Sequence, residues 1–441
     1  MLNLHKLHPF TFPENFIWGS ATAGHQIEGD NVNCQWYHQE LANTDPEFEP
    51  SGKACNSWEL YKEDVELLKA LGHKAYRFSI EWSRIEPEKG KHDLAALDRY
   101  IDLLERLKAA GIFTCVTLWH FTHPQWFEAE GGFRKAENLD YFKRHIEFLV
   151  PKIAHLVDSW CVMNEFNLGP FTQECFNSKK ISLKAHAFGA QVIKGFSNAP
   201  VSSAHAYVPR VPLRKYDELD NAAAAMQNWN HNLFFFHAVR TGEIVLPGID
   251  MEYLPELKNS CDYWAINYYH RGIVDSRKAD LIGHKFDFNS YQMLKDFTMP
   301  REFCPETFVH EMSRLTDKPV WITENGCCTE IDTFRIIYMM LQFEAMREAM
   351  ELYKVDIRAY FHWSLLDNYE WGNYHPKFGM VSVDRETFAR SPKPCTEFYR
   401  EVIEKNGYSG EMFAKYTPEL SHFDLGEFTR RTKTFAQETQ N

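Results

Sequence analysis

The sequence predicts an α/β protein built as a single (β/α)8 TIM barrel with elaborated βα loops. Three observations carry that expectation. Eight short apolar or β-rich runs recur along the 441 residues. Apolar stripes at helical spacing lie between them. The first run is not followed by the GxGxxG turn that would mark a doubly wound open sheet. Strands apolar on both faces that alternate with helices close into a parallel barrel, which places any active site at the C-terminal strand ends.

The first run covers 16–24. Tyr61, Val65 and Leu68 then form a helical stripe ahead of the second run, 75–82. Leu97, Tyr100, Ile101, Leu104 and Leu107 make one apolar face of a helix that closes at Ala109, Ala110 and Gly111 and leads into the third run, 113–120. The fourth, fifth and sixth runs are 159–166, 201–209 and 263–270. The seventh is 319–326, and Phe334, Ile337, Leu341 and Ala345 form the helical face before the eighth, 359–367. The length would suit two or three ordinary domains, yet no Pro, Gly or Ser-rich linker divides it. The expected organisation is one catalytic barrel over 1–407 and a polar extension over 408–441, packed or disordered.

Net charge is −13, with no basic stripe or arm, so nucleic acid and anionic membranes are poor partners. The N-terminus lacks the apolar stretch of a signal peptide and no segment has the length of a membrane span, which predicts a cytoplasmic protein. Ten Cys without a CxxC pair and twenty His without HExxH argue against disulfides, a zinc site or any metal or cofactor. Vicinal Cys327 and Cys328 read as neutral thiols in or beside the site. Aromatic residues make up 15% of the chain and include 12 Trp, many at strand ends where they could line a cleft.

Glu165 in DSWCVMNEFN and Glu324 in PVWITENGCC each stand at the C-terminal end of an apolar run. Glycosidic bonds break through an oxocarbenium-like transition state, so one carboxyl must protonate the leaving oxygen while another stabilises or captures the cation. A single Glu near a strand end is most often a surface or ion-paired group. These two have company at the same strand ends: Gln26 after the first, Arg77 within the second, His120 at the third and Asn164 at the fourth. Asn267 and Tyr269 follow at the sixth, with Trp363, Glu370 and Trp371 at and after the eighth.

The stretches FIWGSATAGHQIEG, YRFSIEWSRIEP, TLWHFTHP, MNEFN, INYYH, ITENG and WSLLDNYEW resemble, in order, the family one glycoside hydrolases of the β-glucosidase and β-galactosidase group. The resemblance runs from about Phe12 to Gly407. It implies a retaining double displacement with Glu324 as nucleophile and Glu165 as acid/base, their carboxyls about 5–5.5 Å apart. It also implies that Arg77 and Tyr269 hold Glu324 ionised, with Asn267 as a further supporting residue, and that Asn164 binds the sugar 2-hydroxyl. Gln26, His120, Glu370 and Trp371 grip the sugar over a floor of Trp363, with Phe378 also at the binding site.

Family members that act on 6-phosphorylated sugars replace the acidic residue found here as Glu370, so an unphosphorylated glycon is expected; Lys377 is the basic residue that commonly precedes Phe378. The expected activity is exo-acting hydrolysis of terminal β-D-glycosides or oligosaccharides, β-glucosidase first, with β-galactosidase, β-fucosidase and transglycosylation compatible. The alternatives are a 6-phospho-β-glycosidase and a non-catalytic sugar-binding barrel; homo-oligomers are left open. Departures from the family pattern are Val162, Phe166 and Phe121, which leave the chemistry intact but reshape the walls. One residue fewer after Trp371 and an abbreviated 169–211 region bear on the aglycone side or the entrance.

Overall fold

A computed structural model of the chain describes residues 4–281 and 304–420. Eight strands, β1 (Ile17–Ala21), β2 (Ala75–Ser79), β3 (Phe113–Thr117), β4 (Ser159–Asn164), β5 (Val201–Ala206), β6 (Trp264–Asn267), β7 (Val320–Asn325) and β8 (Ile357–Trp363), form a closed barrel. Every neighbouring pair is parallel, and β8 closes onto β1 with Trp363 opposite Ala21. All eight strands fall on the runs marked in the sequence, β8 starting two residues early.

Each strand leads into a helix that covers the outside: α1 (Ser57–Ala70), α2 (Leu94–Ala109), α3 (Leu139–Ile153), α4 (Gln173–Phe196), α5 (Phe234–Thr241), α6 (Pro305–Met312), α7 (Asp332–Tyr353) and α8 (Cys395–Lys405). The physical reason for α2 is typical. Asp93 caps its first turn by accepting from Ala96 N at 3.0 Å, and the stripe Leu97, Tyr100, Leu104 and Leu107 is buried against the strands. Gly111, at φ +69°, supplies the left-handed residue just beyond its end.

Two apolar layers result. The larger lies between strands and helices; the smaller fills the barrel, where Ala21, Ala75, Cys115, Cys161, Ala204, Ala265 and Ala359 leave room for Tyr263 stacked on Trp321 at 4.0 Å. Small residues on the inner face are what let two large rings plug the base and still leave space above them.

α7 is apolar on nearly every side, and a further layer covers it. Residues 408–420, which the sequence assigns to the polar extension, pack here: Tyr408 and Phe413 are buried, and the Tyr408 hydroxyl donates to Glu344. Phe10–Thr11 pairs antiparallel with Gly407–Tyr408, joining the two ends of the chain. Residues 421–441 lie outside the described residues. Among the described residues no helix is long and apolar enough to cross a membrane, and no cluster of metal-ligating side chains occurs. All ten cysteines are free thiols.

Candidate active site

The strands deliver their polar residues to one mouth because the parallel pairing is interrupted there. The β4–β5 register shifts between Cys161 and Asn164, the β6–β7 register between Ile266 and Asn267, and the β7–β8 register between Ile322 and Asn325. Irregularities of this kind re-aim side chains next to functional sites. After its shift Asn267 stands opposite Glu324.

A cavity of about 240 Å³ opens at this end. Its walls include Gln26, His120, Asn164, Glu165, Asn267, Tyr269, Glu324, Trp363, Glu370, Trp371 and Phe378, so the fold brings eleven of the twelve sequence-predicted site residues to one surface. The twelfth, Arg77, lies directly beneath, 1% exposed. Five further lining residues were not placed there by the sequence: Phe121, seen only as a departure from the family pattern, and Leu168, Ala206, Val208 and His270. Ala206 ends β5 and Val208 follows it, the one strand for which the sequence named no site residue, and only its parallel register with β6 could have located them.

A hydrogen-bond chain links the two carboxyls. Arg77 donates from Nη1 to Glu324 Oε1 at 2.6 Å and from Nη2 to Asn164 Oδ1 at 2.6 Å. Asn267 Nδ2 donates to that same Asn164 oxygen at 3.1 Å and to Glu165 Oε1 at 2.8 Å, while its own oxygen accepts from Thr323 Oγ1 at 2.7 Å. Glu324 Oε2 accepts from the Tyr269 hydroxyl at 2.8 Å.

Burial pushes the Glu324 carboxyl above its ordinary range, and Arg77, Tyr269 and Asn267 pull it back. Burial works against the Arg77 charge as well, but the Glu324 carboxylate outweighs it and holds the guanidinium above its ordinary value. Burial, with Glu324 and Glu165 nearby, raises Tyr269, which stays a neutral donor.

The network also fixes a tautomer. With both Arg77 and Asn267 donating to Asn164 Oδ1, the Asn164 amide nitrogen is the donor toward His120 Nε2 at 3.3 Å. Burial and Arg77 hold His120 well below its ordinary range, so the ring is neutral and carries its proton on Nδ1. That Nδ1 has no partner among the described residues, and neither does Gln26 Oε1, whose amide nitrogen is taken up by Asn368 and the Tyr369 carbonyl. One donor and one acceptor are thus left for a ligand.

Backbone conformation sharpens the site. Phe121, Glu165 and Trp371 adopt left-handed φ of 67°, 49° and 51°, a region that costs a side-chain-bearing residue about 1–3 kcal/mol and that collects at functional sites. Gly326, two residues after Glu324, approaches the Trp363 carbonyl so closely that a Cβ there would collide with it. His25, which the sequence did not single out, stacks on the face of Trp371 at 5.8 Å and 14° and contacts Glu40 at 3.0 Å. Burial opposes charge on His25, but Cys34, Glu40 and Glu81 outweigh it and bring its pKa to about 10. Cys327 and Cys328 are buried and do not line the cavity; burial pushes the Cys327 thiol up to about 12.

Removing the buried cation has a signed consequence. Arg77→Met leaves Glu324 desolvated without its strongest opposing charge, so the acid limb of the kcat/KM profile moves to higher pH and the maximum falls roughly 10²–10³-fold. A pH–rate profile whose acid limb stays in place would refute this account.

Two carboxyls joined through one hydrogen-bond network at the C-terminal mouth of a parallel barrel are the equipment of a glycoside hydrolase. Known proteins place the chain within that class. The sequence model described as Glycosyl hydrolase family 1 matches residues 8–408. The chain is 28% identical to the 1,4-beta-D-glucan glucohydrolase of Thermotoga neapolitana, over 90% of this chain and 99% of that one. It is 29% identical to Beta-glucosidase A of Thermotoga maritima, over 90% and 98%. Among solved structures, the beta-glycosidase from Pyrococcus horikoshii superposes with a TM-score of 0.80 at 30% identity, covering 95% of this chain and all of that one. The chain belongs to glycosyl hydrolase family 1, and its activity is that of a retaining β-glycosidase.

Proposed function

We propose that the chain is an exo-acting β-glucosidase that takes unphosphorylated glycons, with Glu324 as nucleophile and Glu165 as acid/base. The observation that carries this assignment is the hydrogen-bond chain that runs from Glu324 through Arg77, Asn164 and Asn267 to Glu165. Retaining pairs act from close range on one anomeric centre, and this chain holds both carboxyls on the wall of one cavity.

The division of labour follows from the surroundings. Glu324, 4% exposed and bonded to a guanidinium and a phenol, is fixed as an anion-bearing group facing the sugar. Glu165 is more open, on the side of the leaving group, where it can give a proton to the aglycone oxygen and then take one from water. Asn164 is positioned by Arg77 and Asn267 to meet a sugar hydroxyl, and His120 Nδ1 and Gln26 Oε1 offer the spare donor and acceptor. Trp363 and Trp371 present indole faces on which a pyranose can stack. The volume of about 240 Å³ suits one ring rather than a chain, which supports exo action. The similarity to proteins named as glucosidases favours a gluco-configured glycon.

Glu370 argues for a neutral glycon. Its carboxyl lines the cavity and receives the Trp363 indole N–H at 3.3 Å and the Gln26 amide at 3.4 Å. The Lys377 ammonium is engaged with the Tyr374 carbonyl at 2.8 Å and is not on the cavity wall. A phosphate dianion against a carboxylate in a partly desolvated pocket costs a few kcal/mol, about 10²-fold in rate or more. Rates on 4-nitrophenyl β-glucoside, β-galactoside, β-fucoside and β-glucoside 6-phosphate test this directly. The neutral glucoside is expected to lead and the phosphate to trail by at least about 10²-fold. Preference for the phosphorylated sugar would overturn the reading of Glu370.

A further inference from the structure

Immediately behind the aglycone side of the cavity lies a group of cations that the hydrolysis of a neutral glycoside does not use. Val208 and His270 line the cavity; two residues further along each segment, Arg210 and Gly272 are register partners in a short parallel sheet. Gly272 has no side chain, and a Cβ there would collide with the Arg210 guanidinium lying across it. That guanidinium is half-buried, yet among the described residues it makes no hydrogen bond or ion pair, and its Nε is sequestered from water without an acceptor.

Lys179, 1% exposed, donates to the Asn230 carbonyl at 3.0 Å and to the Asn230 side-chain oxygen at 3.4 Å, and to no carboxylate. His231, 6% exposed, leaves Nε2 buried and unpartnered. The group is anchored to the cavity wall by Asn167, whose amide bridges the Ala206 carbonyl at 2.9 Å and the His231 carbonyl at 2.8 Å.

Elsewhere the molecule neutralises its buried arginines: Arg77 faces Glu324, Arg84 faces Glu28, Arg335 faces Asp332 and Arg390 faces Asp64. Burial alone lowers Arg210, and burial lowers Lys179 to about 8 despite the opposing influence of Cys175. Holding two desolvated cations near enough for Arg210 to lower Lys179, with no anion among the described residues, is unfavourable unless a ligand supplies one.

We propose that this cluster recognises an oxyanion carried by the leaving group, so that the preferred aglycone has an apolar body against Leu168 and Val208 and a carboxylate or phosphate within reach of Arg210. The inference rests on the β-glycosidase reading and deepens it. Glu370 repels an anion at the sugar end, so the charge belongs on the aglycone. A planar guanidinium fork suits either oxyanion.

The test compares kcat/KM for 4-carboxyphenyl and 4-phosphonophenyl β-glucoside with that for neutral 4-carbamoylphenyl β-glucoside. It uses wild type, Arg210→Met and Arg210→Lys. Because the intrinsic acidities of the leaving phenols cancel between enzymes, only the anionic-to-neutral ratio is read. That ratio is expected to fall about tenfold in Arg210→Met and to recover in Arg210→Lys. The oxyanion with the larger fall is the one recognised. In wild type, 4-hydroxybenzoate should also inhibit about tenfold more strongly than neutral 4-hydroxybenzamide, which decides the matter even if the methionine variant does not fold.

Equal inhibition of wild type by 4-hydroxybenzoate and 4-hydroxybenzamide, or a ratio unchanged in a folded Arg210→Met, overturns the proposal while leaving the β-glycosidase reading intact. If wild type cleaves none of the three glucosides, that broader reading fails and this one with it.

Discussion

Glu324→Ala is expected to lower kcat/KM on 4-nitrophenyl β-glucoside by roughly 10⁵-fold, equivalent to about 7 kcal/mol of transition-state stabilisation. No neighbouring group can substitute. The other carboxyls on the cavity wall are Glu165 and Glu370, which the proposed assignment gives to the leaving-group side and to the sugar end. The variant also leaves the buried Arg77 without its 2.6 Å partner. Its cavity is therefore both larger and more positive, a place for a small anion. Azide should restore turnover by attacking the anomeric carbon from the vacated position, giving a single inversion and an α-glycosyl azide. Nuclear magnetic resonance of the product decides the outcome; a β-glycosyl azide, or undiminished hydrolysis without azide, would remove Glu324 from the nucleophile's role.

Glu165→Ala should behave differently, and the contrast is more informative than either loss alone. A missing acid matters only when the leaving group needs a proton. Hydrolysis of an alkyl glucoside is expected to fall by about 10²–10⁴-fold, and glycosylation by a dinitrophenyl glucoside should be nearly unaffected. The second half-reaction also loses its base, so a glycosyl-enzyme accumulates on activated substrates and a burst precedes slow turnover. Azide now replaces water on the face that Glu165 served, after one inversion has already occurred, and the product is a β-glycosyl azide. Equal losses on alkyl and dinitrophenyl glucosides would contradict the assignment of Glu165 as proton donor.

The sequence made the barrel legible because both of its periodicities were strong. Leu97, Tyr100, Leu104 and Leu107 keep helical spacing, and the strand runs are apolar on both faces, as burial between a barrel interior and a helical layer requires. Site residues were legible where they stood at strand ends within dense polar motifs. Arg77 was found although it is buried, because it stands within the second run in YRFSIEWSRIEP, one of the stretches that carry the family resemblance. What escaped were residues whose role depends on register between distant strands. Val208 and Leu168 are ordinary apolar residues, and Arg210 is an ordinary arginine, until β5 and β6 lie side by side. His25 escaped because its partner Trp371 lies far along the chain, and only the closed fold stacks the two rings. The extension beyond 407 was legible as a change in composition but not as a cover for α7, since nothing in Tyr408 or Phe413 says which helix is left uncovered.

The closure of β8 onto β1 has a consequence for how the chain is made. β1 ends at Ala21 and its second neighbour begins at Ile357, so about 340 residues must be synthesised before one flank of the first strand can be paired; at roughly 5–20 residues per second that wait is on the order of 20–70 s. Throughout that interval the nascent polypeptide carries an open parallel edge, the kind of surface that recruits other chains. The Phe10–Thr11 strand waits longer still for Gly407–Tyr408. The earliest-made strand is therefore among the last to be secured, and in a crowded cell the yield of active enzyme depends on how well that edge is shielded during translation.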